Sequence, residues 1–463
     1  MMFVDCDSKL RVRNPSPELI QWCKDELRMP NPDYYKKQAL GKWTGNTPEY
    51  FDLWEQVGKE IHLPFGCAST VFERFKSDMR FRGFYSPLRR IDYRSSINLY
   101  HYQEAAVKVA ECLKNGIIVM PCGAGKTQTA LEIIARVGGR ALWLTHTQDL
   151  LNQSLNRAKS VLGVYRESYG SITGGKVNIG TGITFATVQT MARLDLAQYS
   201  DVWDIIIVDE CHKAVGSPTR VMQFYKVLSN LSARYKIGLT ATPKRADGLT
   251  KSMFALLGNV IHEVSREAVA ETTCPVKVDC VETGYTPNID VVLAGDGTLN
   301  YAALVDDMTH DLRRFEAVLT SLQGLKKTIV LGNRVEYLSL MMAEYNARQY
   351  GKAICLSALG NSKAAKMERK TALTALNNGE IDCIFATYQL AKEGLDVPDL
   401  RYVVFATPEK DETTVMQAAG RVGRKCEGKE FGVVVDFIDD FGMFRGWAKK
   451  RKSYYRRLGY EQY

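Results

Sequence analysis

The fold is decided by the stretch Ile117–Thr127, IIVMPCGAGKT. Its apolar, β-branched start is typical of a buried strand. Two glycines then break the strand, and a helical pattern begins at Lys126. A glycine-rich turn before a helix N-terminus binds phosphate, because its N–H groups and the helix dipole attract anionic oxygens. Lys126 then supplies a charge for the β- and γ-phosphates, and the Thr127 hydroxyl is a ligand for Mg²⁺. The match to G-x-x-x-x-G-K-[ST] is incomplete, since Met120 replaces its first glycine.

A second apolar run, Ile205–Val208, leads directly into two acidic residues, Asp209 and Glu210. A buried strand that ends in this way delivers both carboxylates to one edge of a sheet. Taken alone, the pair is also typical of an acidic turn. Because the glycine-lysine-threonine turn precedes it, the combination indicates a site that binds and hydrolyses a nucleoside triphosphate.

Length and composition place the chain among ordinary globular proteins. Its 463 residues allow two or three domains, and 45% hydrophobic with 24% charged residues suffices to bury large cores. The N-terminus lacks the pattern of a secretion signal, and no apolar run approaches the roughly 20 residues that cross a bilayer. The eleven cysteines include no C-x-x-C pair, so we expect reduced thiols, no zinc site, no membrane partner and a cytoplasmic location.

The net charge of +9 is concentrated in two segments, residues 74–94 and 441–463, where basic residues outnumber acidic ones. Aromatic residues are interleaved with the basic residues in both segments. Cations neutralise backbone phosphates and aromatic faces stack on bases, so the combination predicts contact with nucleic acid, with Arg80 and Arg82 among the contacts. The alternative is that both runs are solvated surface.

Strand and helix alternate twice along the chain after residue 95. The predicted strands are 117–120, 141–145, 183–187, 205–208 and 235–239 in the first set and 328–331, 353–356, 383–386, 402–406 and 432–436 in the second. This order predicts an α/β fold with two doubly wound parallel sheets. Since only the first set has a glycine-lysine-threonine turn, we expect one nucleotide in the cleft between two lobes. The proline-rich residues 1–95 are expected to form a small domain, in which Tyr50–Val57 has the spacing of an amphipathic helix.

The second lobe must contribute to that cleft, and the segment Thr413–Arg424 is the candidate. If the segment is helical, Gln417, Arg421 and Arg424 recur at i, i+4 and i+7 and share one face. Two guanidinium groups and an amide on one face suit phosphoryl transfer, because they stabilise charge on the γ-phosphoryl oxygens. A surface helix with exposed arginines is the alternative.

Over residues 97–440 these motifs resemble, in order, those of superfamily 2 helicases of the DExH type, which implies two RecA-like lobes, ATP and Mg²⁺. The resemblance assigns the first-lobe roles as follows: Gln103 reads adenine; Gly123, Gly125, Lys126 and Thr127 form the Walker A loop; Thr127 and Asp209 hold Mg²⁺; Glu210 activates the attacking water; and His212 with Thr240–Thr242 couples nucleotide to nucleic acid. Tyr100 stands where relatives often carry an arginine.

The same resemblance implies contacts to a nucleic-acid strand and to the nucleotide from further motifs. Thr145, His146, Thr187 and Gln189 match strand-tracking loops of the first lobe, Thr387 matches one of the second, Gly394 and Asp396 match a motif that contacts both nucleotide and strand, and Arg421 and Arg424 become arginine fingers.

Within the superfamily, Ile237–Gly248 and Ala391–Pro398 look most like the XPB-like branch, which includes phage helicases that remodel forked and branched DNA. Asn31–Tyr35 and Leu63–Gly66 also resemble those phage proteins, where a small N-terminal domain helps to engage duplex. Phe65 departs from the basic residue expected there.

The resemblance therefore implies a monomeric ATP-dependent DNA helicase that acts on forked or branched DNA or on junctions of single and double strand. Its expected parts are an accessory DNA-binding domain (1–95), two lobes (96–268 and 269–440) and a basic aromatic tail (441–463). Three alternatives stay open: an RNA helicase, although Cys211 stands where DEAD-box proteins carry Asp; a restriction-type translocase subunit; and an ATP-gated clamp that does not unwind.

Overall fold

The computed structural model describes residues 1–463 apart from 84–86, 122, 216, 242–248, 296–297, 357–362 and 393–396. The described chain divides into two compact units. The first contains Met1–Pro121 and Gly125–Ser265, so the N-terminal segment and the first α/β lobe belong to one unit. The second contains Arg266–Tyr463, and Gly123 and Ala124 are grouped with it.

The N-terminal segment is built on a small, mainly antiparallel sheet. Its elements are β1 (Met2–Cys6), β2 (Lys9–Arg13), α1 (Pro17–Glu26), β3 (Arg28–Pro30), α2 (Pro32–Ala39), β4 (Tyr50–Asp52), β5 (Glu55–Val57), β6 (Glu60–Pro64), α3 (Ala68–Phe75) and β7 (Met79–Gly83). The described strands of the sheet follow the order β5-β6-β2-β1-β7, and β3 pairs with β4. Val4 and Val12 are fully buried on one face of this sheet, as expected where only the other face meets water.

The prediction of a helix at Tyr50–Val57 is wrong. Phe51 of β4 pairs with Met29, and Gln56 of β5 pairs with Ile61. Both short strands are held by partners outside the local stretch, and this tertiary pairing overrides a weak helical spacing.

The first lobe is organised around a mostly parallel sheet. Its elements are β8 (Arg94–Ser95), α4 (His101–Leu113), β9 (Asn115–Val119), α5 (Lys126–Val137), β10 (Ala141–Thr145), α6 (Gln148–Val161), β11 (Leu162–Gly163), β12 (Tyr169–Thr173), β13 (Lys176–Asn178), β14 (Ile183–Thr187), α7 (Val188–Met191), β15 (Ile205–Val208), α8 (Pro218–Leu228), β16 (Tyr235–Thr240), α9 (Thr250–Leu257) and β17 (Val260–Glu263). The described strands follow the order β13-β12-β14-β10-β15-β16-β9-β17. Every residue of β10, β14, β15 and β16 is buried, because helices cover parallel strands on both faces.

The second unit repeats this plan. Its elements are α10 (Arg266–Val269), β18 (Val276–Glu282), α11 (Ile289–Val292), α12 (Tyr301–His310), α13 (Leu312–Thr320), β19 (Thr328–Gly332), α14 (Val335–Ala347), β20 (Ala353–Leu356), α15 (Lys363–Asn378), β21 (Cys383–Thr387), α16 (Tyr388–Lys392), β22 (Tyr402–Phe405), α17 (Glu412–Val422), β23 (Gly432–Ile438), α18 (Gly442–Arg457) and β24 (Glu461–Gln462). The described strands form a parallel sheet in the order β20-β21-β19-β22-β23-β18-β24. The predicted α/β class with two parallel sheets is confirmed.

A buried lysine joins the N-terminal sheet to the first lobe. Lys236 of β16 is fully buried, and its Nζ donates to the carbonyl oxygens of Ser8 and Leu228, each at 2.9 Å. The same ammonium group lies 5.0 Å from the centre of the Phe65 ring. Next to this ring, a Cβ at Gly66 would lie 2.4 Å from the backbone nitrogen of Gly258, so only glycine allows this close approach. The segment Leu63–Gly66 therefore packs against the first lobe.

The basic C-terminal segment is largely a packed helix. Arg451 of α18 is buried, and its guanidinium group contacts both carboxylate oxygens of Asp436 in β23. The buried Tyr455 hydroxyl donates to the same carboxylate at 3.0 Å. Two residues that the charge pattern grouped with nucleic-acid contacts thus hold the helix on the second sheet.

Among the described helices, none has both the length and the apolar character that crossing a bilayer requires.

Candidate functional site

Several predicted site residues of the first lobe lie at one edge of its sheet. The strands β9, β10, β14, β15 and β16 run parallel, so their carboxyl ends meet at this edge. The phosphate loop follows β9, Asp209 follows β15, and Thr240 ends β16. Ligands of open α/β sheets bind outside the carboxyl ends of the strands.

The phosphate loop requires glycine at Gly125. This residue has φ of +77° and directly precedes α5. A Cβ on it would lie 2.3 Å from Nε2 of Gln103, so the loop backbone and the buried Gln103 amide are in close contact. Gly123 also has a positive φ, of +84°. The structure therefore places the predicted adenine-reading amide against the predicted phosphate loop.

An aromatic pair lies at the start of α4, beside this amide. The backbone N–H of Tyr100 donates to Oε1 of Gln103 at 3.0 Å, which caps the helix. The Tyr100 ring stacks on Tyr102 with a centroid distance of 5.7 Å and an angle of 8°, and 52% of Tyr100 is exposed. In the sequence, Tyr100 stands out only because an arginine is expected there, and its spacing of two residues from Tyr102 does not reveal the stack.

The lysine of the phosphate loop faces the second carboxylate after β15. Nζ of Lys126 lies 4.0 Å from Oε1 of Glu210. Glu210 has φ of +49°, a left-handed conformation that costs a non-glycine residue about 1–3 kcal/mol. Its N–H donates to Oδ1 of Asp209 at 3.0 Å, and its carbonyl accepts from the N–H of Lys213 at 2.8 Å. These bonds hold the strained backbone that aims the carboxylate at Lys126.

The two carboxylates differ in their affinity for protons. Burial, together with the nearby charge of Glu210, raises the pKa of Asp209 to about 7. Burial also acts on Glu210, but the charges of Lys126, His212 and Lys213 outweigh it and lower the pKa of that carboxyl. A cation beside Asp209 would stabilise its charged form. A hydroxyl on Thr127 and a carboxylate on Asp209 are the hard oxygen ligands that Mg²⁺ prefers, so the donor set fits this ion.

His212 bridges this carboxylate and the end of the next strand. Its Nδ1 lies 3.0 Å from Oγ1 of Thr240 and 3.3 Å from Oε2 of Glu210. The link that the motifs imply between His212 and Thr240 is therefore present as a direct contact, whereas Thr242 lies outside the described residues.

The strand-tracking loops at this edge are tied to one another. Gln189 donates from Nε2 to the carbonyl of His146 at 3.1 Å. The hydroxyls of Thr145 and Thr187 are used internally: Thr145 donates to the Thr147 carbonyl, and Thr187 pairs with Thr190 at 2.9 Å.

His146 is electrostatically unusual. Burial, with the charges of nearby basic residues, lowers its pKa to about 3, so its ring is neutral at physiological pH. Its contribution to a strand contact would therefore be a hydrogen bond and not a charge.

In the second unit, the predicted arginine helix is shorter than expected. α17 ends at Val422, so Gln417 and Arg421 share a helix face, whereas Arg424 lies beyond the helix end and pairs by its backbone with Thr273. The prediction of three residues on one helical face is wrong for Arg424, because Gly423 ends the helix before it.

The remaining predicted residues of this unit are less informative. Thr387 ends β21, is buried, and accepts from the N–H of Leu390. Gly394 and Asp396 lie outside the described residues.

The basic segment 74–94 has mixed roles. Arg80 and Arg82 are exposed on β7, with Nε of Arg82 at 3.4 Å from Oδ1 of Asp5. Arg89 donates to the carbonyl of Val202, and the buried Tyr93 hydroxyl donates to the carbonyl of Gly139. The last part of the segment thus fixes the linker to the first lobe.

Two family models match the chain over the segments just described. Residues 96–245 match the model of the type III restriction enzyme res subunit, and residues 312–426 match the helicase conserved C-terminal domain. The first span includes Gln103, Lys126 and Glu210, and the second includes the segment Gln417–Arg424. The chain belongs to the superfamily 2 helicases.

Relatives of this helicase include viral and archaeal proteins. L396 of Acanthamoeba polyphaga mimivirus, named an ATP-dependent RNA helicase, is 26% identical over 374 residues, or 78% of this chain and 68% of that protein. The DNA 3'-5' translocase XPB2 of Sulfurisphaera tokodaii is 26% identical over 72% of this chain and 80% of its own length. Helicase D10 of Escherichia phage T5 is 25% identical over 76% of this chain and 74% of its own. The XPB-like and phage relationships predicted from the motifs are confirmed.

Solved structures agree on the fold. Saccharomyces cerevisiae Dbp5 bound to RNA and ADP BeF3 aligns with a TM-score of 0.55 and 16% identity over 79% of this chain and 90% of that one. The Pyrococcus furiosus Hef helicase domain aligns with a TM-score of 0.52 and 19% identity over 76% and 98%. The helicase therefore has the predicted RecA-like fold, and as a superfamily 2 member it is an ATP-dependent enzyme that acts on nucleic acid.

Proposed function

We propose that this helicase uses ATP to unwind or branch-migrate forked or branched DNA in replication, recombination or repair. The observation that carries the ATP-driven part is the convergence of Gln103, the Gly125 loop, Lys126 and Glu210 at one sheet edge. Relatives named as an archaeal DNA translocase and a phage helicase support DNA as the substrate.

In this proposal, ATP lies along the carboxyl edge of the first sheet. The Gln103 amide pairs with adenine, and the exposed face of the Tyr100 ring stacks on the base. The N–H groups of the loop and of α5 bind the phosphates, with Lys126 on the β- and γ-phosphates. Thr127 and Asp209 would hold Mg²⁺, which supplies charge neutralisation at these phosphates when it is bound.

Hydrolysis needs an oriented water and stabilisation of developing charge. The oxygen of the attacking water bonds to the γ-phosphorus while Glu210 accepts a proton from that water. The bond from the γ-phosphorus to the β–γ bridging oxygen breaks in the same step. Its lowered pKa keeps Glu210 ionised and able to accept the proton. We expect Gln417, Arg421 and Arg424 of the second unit to contact the γ-phosphate when ATP is bound. These contacts are lost after hydrolysis, so ATP and its products favour different conformations of the protein.

Nucleic acid would be held by loops that follow the parallel strands. In the first unit these are the loops of Thr145, His146, Thr187 and Gln189. In the second unit we propose that Thr387 contacts the nucleic-acid strand and that Gly394 and Asp396 contact both the strand and the nucleotide. Phosphate and sugar contacts of this kind position a strand without reading its sequence. His212, between Glu210 and Thr240, would transmit hydrolysis to them.

The remaining parts of the proposal concern assembly and location. We propose residues 1–95 as the accessory DNA-binding domain with Arg80 and Arg82 as contacts, 96–268 and 269–440 as the two lobes, and a monomer, because one chain supplies both Lys126 and Arg424. The cysteines of the described residues are free thiols, which favours a reducing compartment such as the cytoplasm.

The test compares ATP hydrolysis and strand displacement on a fork, a four-way junction, a plain overhang and an RNA duplex. We expect the branched DNAs to give the largest stimulation and displacement. Lys126→Ala should reduce hydrolysis by about 100-fold or more and leave most of the DNA affinity, because the lysine acts on phosphates. Lys108→Ala, an exposed lysine on α4, is the matched control. Hydrolysis near the wild-type rate in Lys126→Ala would contradict the proposed site.

Two observations favour other substrates, and the same experiment separates them. The mimivirus relative is named an RNA helicase, so larger stimulation by RNA than by any DNA would favour that function. The match to the restriction-enzyme model favours translocation on duplex without unwinding. Displacement of the third strand of a DNA triplex, without strand displacement at forks, would favour translocation without unwinding.

A further inference from the structure

A groove runs between the N-terminal segment and the first lobe, within one compact unit. It has a volume of about 790 Å³ and is bounded by α2 and residues 47–51 on one side and by α7, α8 and Arg193 on the other. The nucleotide site does not include these residues. The groove is a feature that the motifs do not predict.

The groove is basic. Four of its lining residues are cationic, Lys36, Lys37, Arg193 and Lys226, and among the described lining residues Asp33 is the single carboxylate. Two of these ammonium groups contact neutral oxygens: Lys37 reaches the Thr47 hydroxyl at 2.7 Å, and Lys226 reaches the Ala192 carbonyl at 2.6 Å. These contacts orient the side chains without neutralising their charge, so the groove attracts an anionic chain.

An exposed tryptophan follows α2, the helix that lines one side of the groove. Trp43 follows α2 in a loop that folds back, because the N–H of Lys42 donates to the carbonyl of Lys37 at 2.9 Å. The Trp43 side chain is 87% exposed, and its ring lies over Gly45, where a Cβ would come within 2.8 Å of a ring carbon. Most of the indole surface is therefore open to solvent. The other five tryptophans are buried or half-buried.

The groove also continues a loop already proposed to hold a strand. Gln189 lines it and donates to the carbonyl of His146, so the groove begins where the strand-tracking loops end. A chain held by those loops at Gln189 meets a groove that Arg193 and Lys226 also line.

We propose that this groove binds a single strand of nucleic acid, with phosphates on Lys36, Lys37, Arg193 and Lys226 and one base stacked on Trp43. The inference rests on the proposed function and adds a strand path and a stacking residue to it. A single strand fits better than duplex, since paired bases are stacked on each other and offer no free face to an indole. An acidic peptide would match the charge, but it offers no base for the exposed indole.

The experiment measures binding of a fluorescein-labelled oligothymidine to the full-length protein without ATP, at several salt concentrations. Trp43→Ala should weaken binding by about 5- to 150-fold, the range for loss of one stacked base, and Trp43→Phe should recover part of it. Lys36→Ala/Lys37→Ala should reduce the slope of log affinity against log salt by about 1.4, because two phosphate contacts are lost. Lys24→Ala/Lys59→Ala removes two exposed lysines of the same segment outside the groove and should leave the slope unchanged.

Intrinsic fluorescence provides an independent readout. Since Trp43 is the exposed tryptophan, unlabelled oligothymidine should quench the wild-type emission and should quench Trp43→Phe much less. Unchanged affinity and salt slope in the Trp43 and Lys36/Lys37 variants would overturn the groove proposal. It would also be overturned if an acidic peptide displaced the oligothymidine and Trp43→Ala left oligothymidine binding unchanged. ATP hydrolysis that still depends on Lys126 and is stimulated by forks would, in that case, leave the proposed function standing.

Discussion

The buried Lys236 makes the stability of the first unit depend on pH in a direction that can be calculated. Burial lowers the pKa of this lysine from its usual 10.5 to about 7, and it outweighs the opposing effect of Cys6 and Asp7. The two carbonyl hydrogen bonds and the Phe65 ring favour the charged form. A change from 10.5 to about 7 corresponds to at most about 5 kcal/mol.

The sign follows from counting protons. Between pH 7 and 10.5 the unfolded chain keeps this proton and the folded chain has released it, so the unfolded state binds more protons and stability rises with pH. The cost of burying the charge is fully present below pH 7 and is relieved as the pH approaches 10.5. From pH 7.5 to 9.0 the increment is about 2 kcal/mol for one proton.

The assay is urea unfolding of the full-length protein under reducing conditions across this pH range, for wild type and Lys236→Met. Methionine keeps the apolar stem beside Phe65 and removes the titrating group, so the variant should lack most of the increment. Lys59→Met, at an exposed position, should behave like wild type. An equal rise of stability with pH in wild type and Lys236→Met would refute the reasoning.

Four further substitutions test the fold and the proposed site. Gly66→Ala should cost about 1–3 kcal/mol of stability by overpacking against the Gly258 backbone, measured by thermal unfolding, whereas Gly446→Ala, with open space around it, should not. Glu210→Gln should lower kcat for ATP by about 100- to 10,000-fold with ATP binding retained, and a kcat within a few-fold of wild type would exclude its role with the attacking water. Tyr100→Ala should raise the KM for ATP by about 2- to 10-fold and Tyr100→Phe should not; equal KM values would remove the ring from base binding. Arg424→Ala should keep ATP binding but lower kcat by about 1,000-fold or more, and full turnover in this variant would eliminate the finger role.

Several buried strands could be predicted from the sequence, because the run of apolar residues that favours a strand locally is also what burial in a sheet requires. β10, β14 and β15 inside the first sheet, and β20 at the edge of the second, have the predicted bounds, whereas β18, inside the second sheet, was not predicted. The predicted strands are buried on both faces or nearly so. Strands buried in this way consist of a run of apolar residues with a turn at each end, and this pattern is visible in the sequence. The edge strand β17 was missed, since half-exposed residues carry no such run.

The site could be predicted where short motifs fix it and not where distant segments meet. Lys126, Asp209, Glu210 and His212 each follow a strand that the pattern identifies. Lys236 lies in a predicted strand, but nothing local indicates that Ser8 caps its ammonium group. The basic groove likewise depends on α2 lying opposite α8, a pairing that no spacing along the chain encodes.

The place of β18 in the second sheet has a consequence for how the protein is made. This is the first strand of the second unit, yet its neighbours are β23 and β24, with Val276 paired to Gly432 and Lys277 to Glu461. During translation β18 must therefore wait, unpaired, until almost the whole of its unit has left the ribosome, and closing so long a loop is slow. The first unit, complete by Ser265, can fold beforehand. In the nascent chain, β18 would expose apolar side chains and unpaired strand edges, which are the surfaces that chaperones cover.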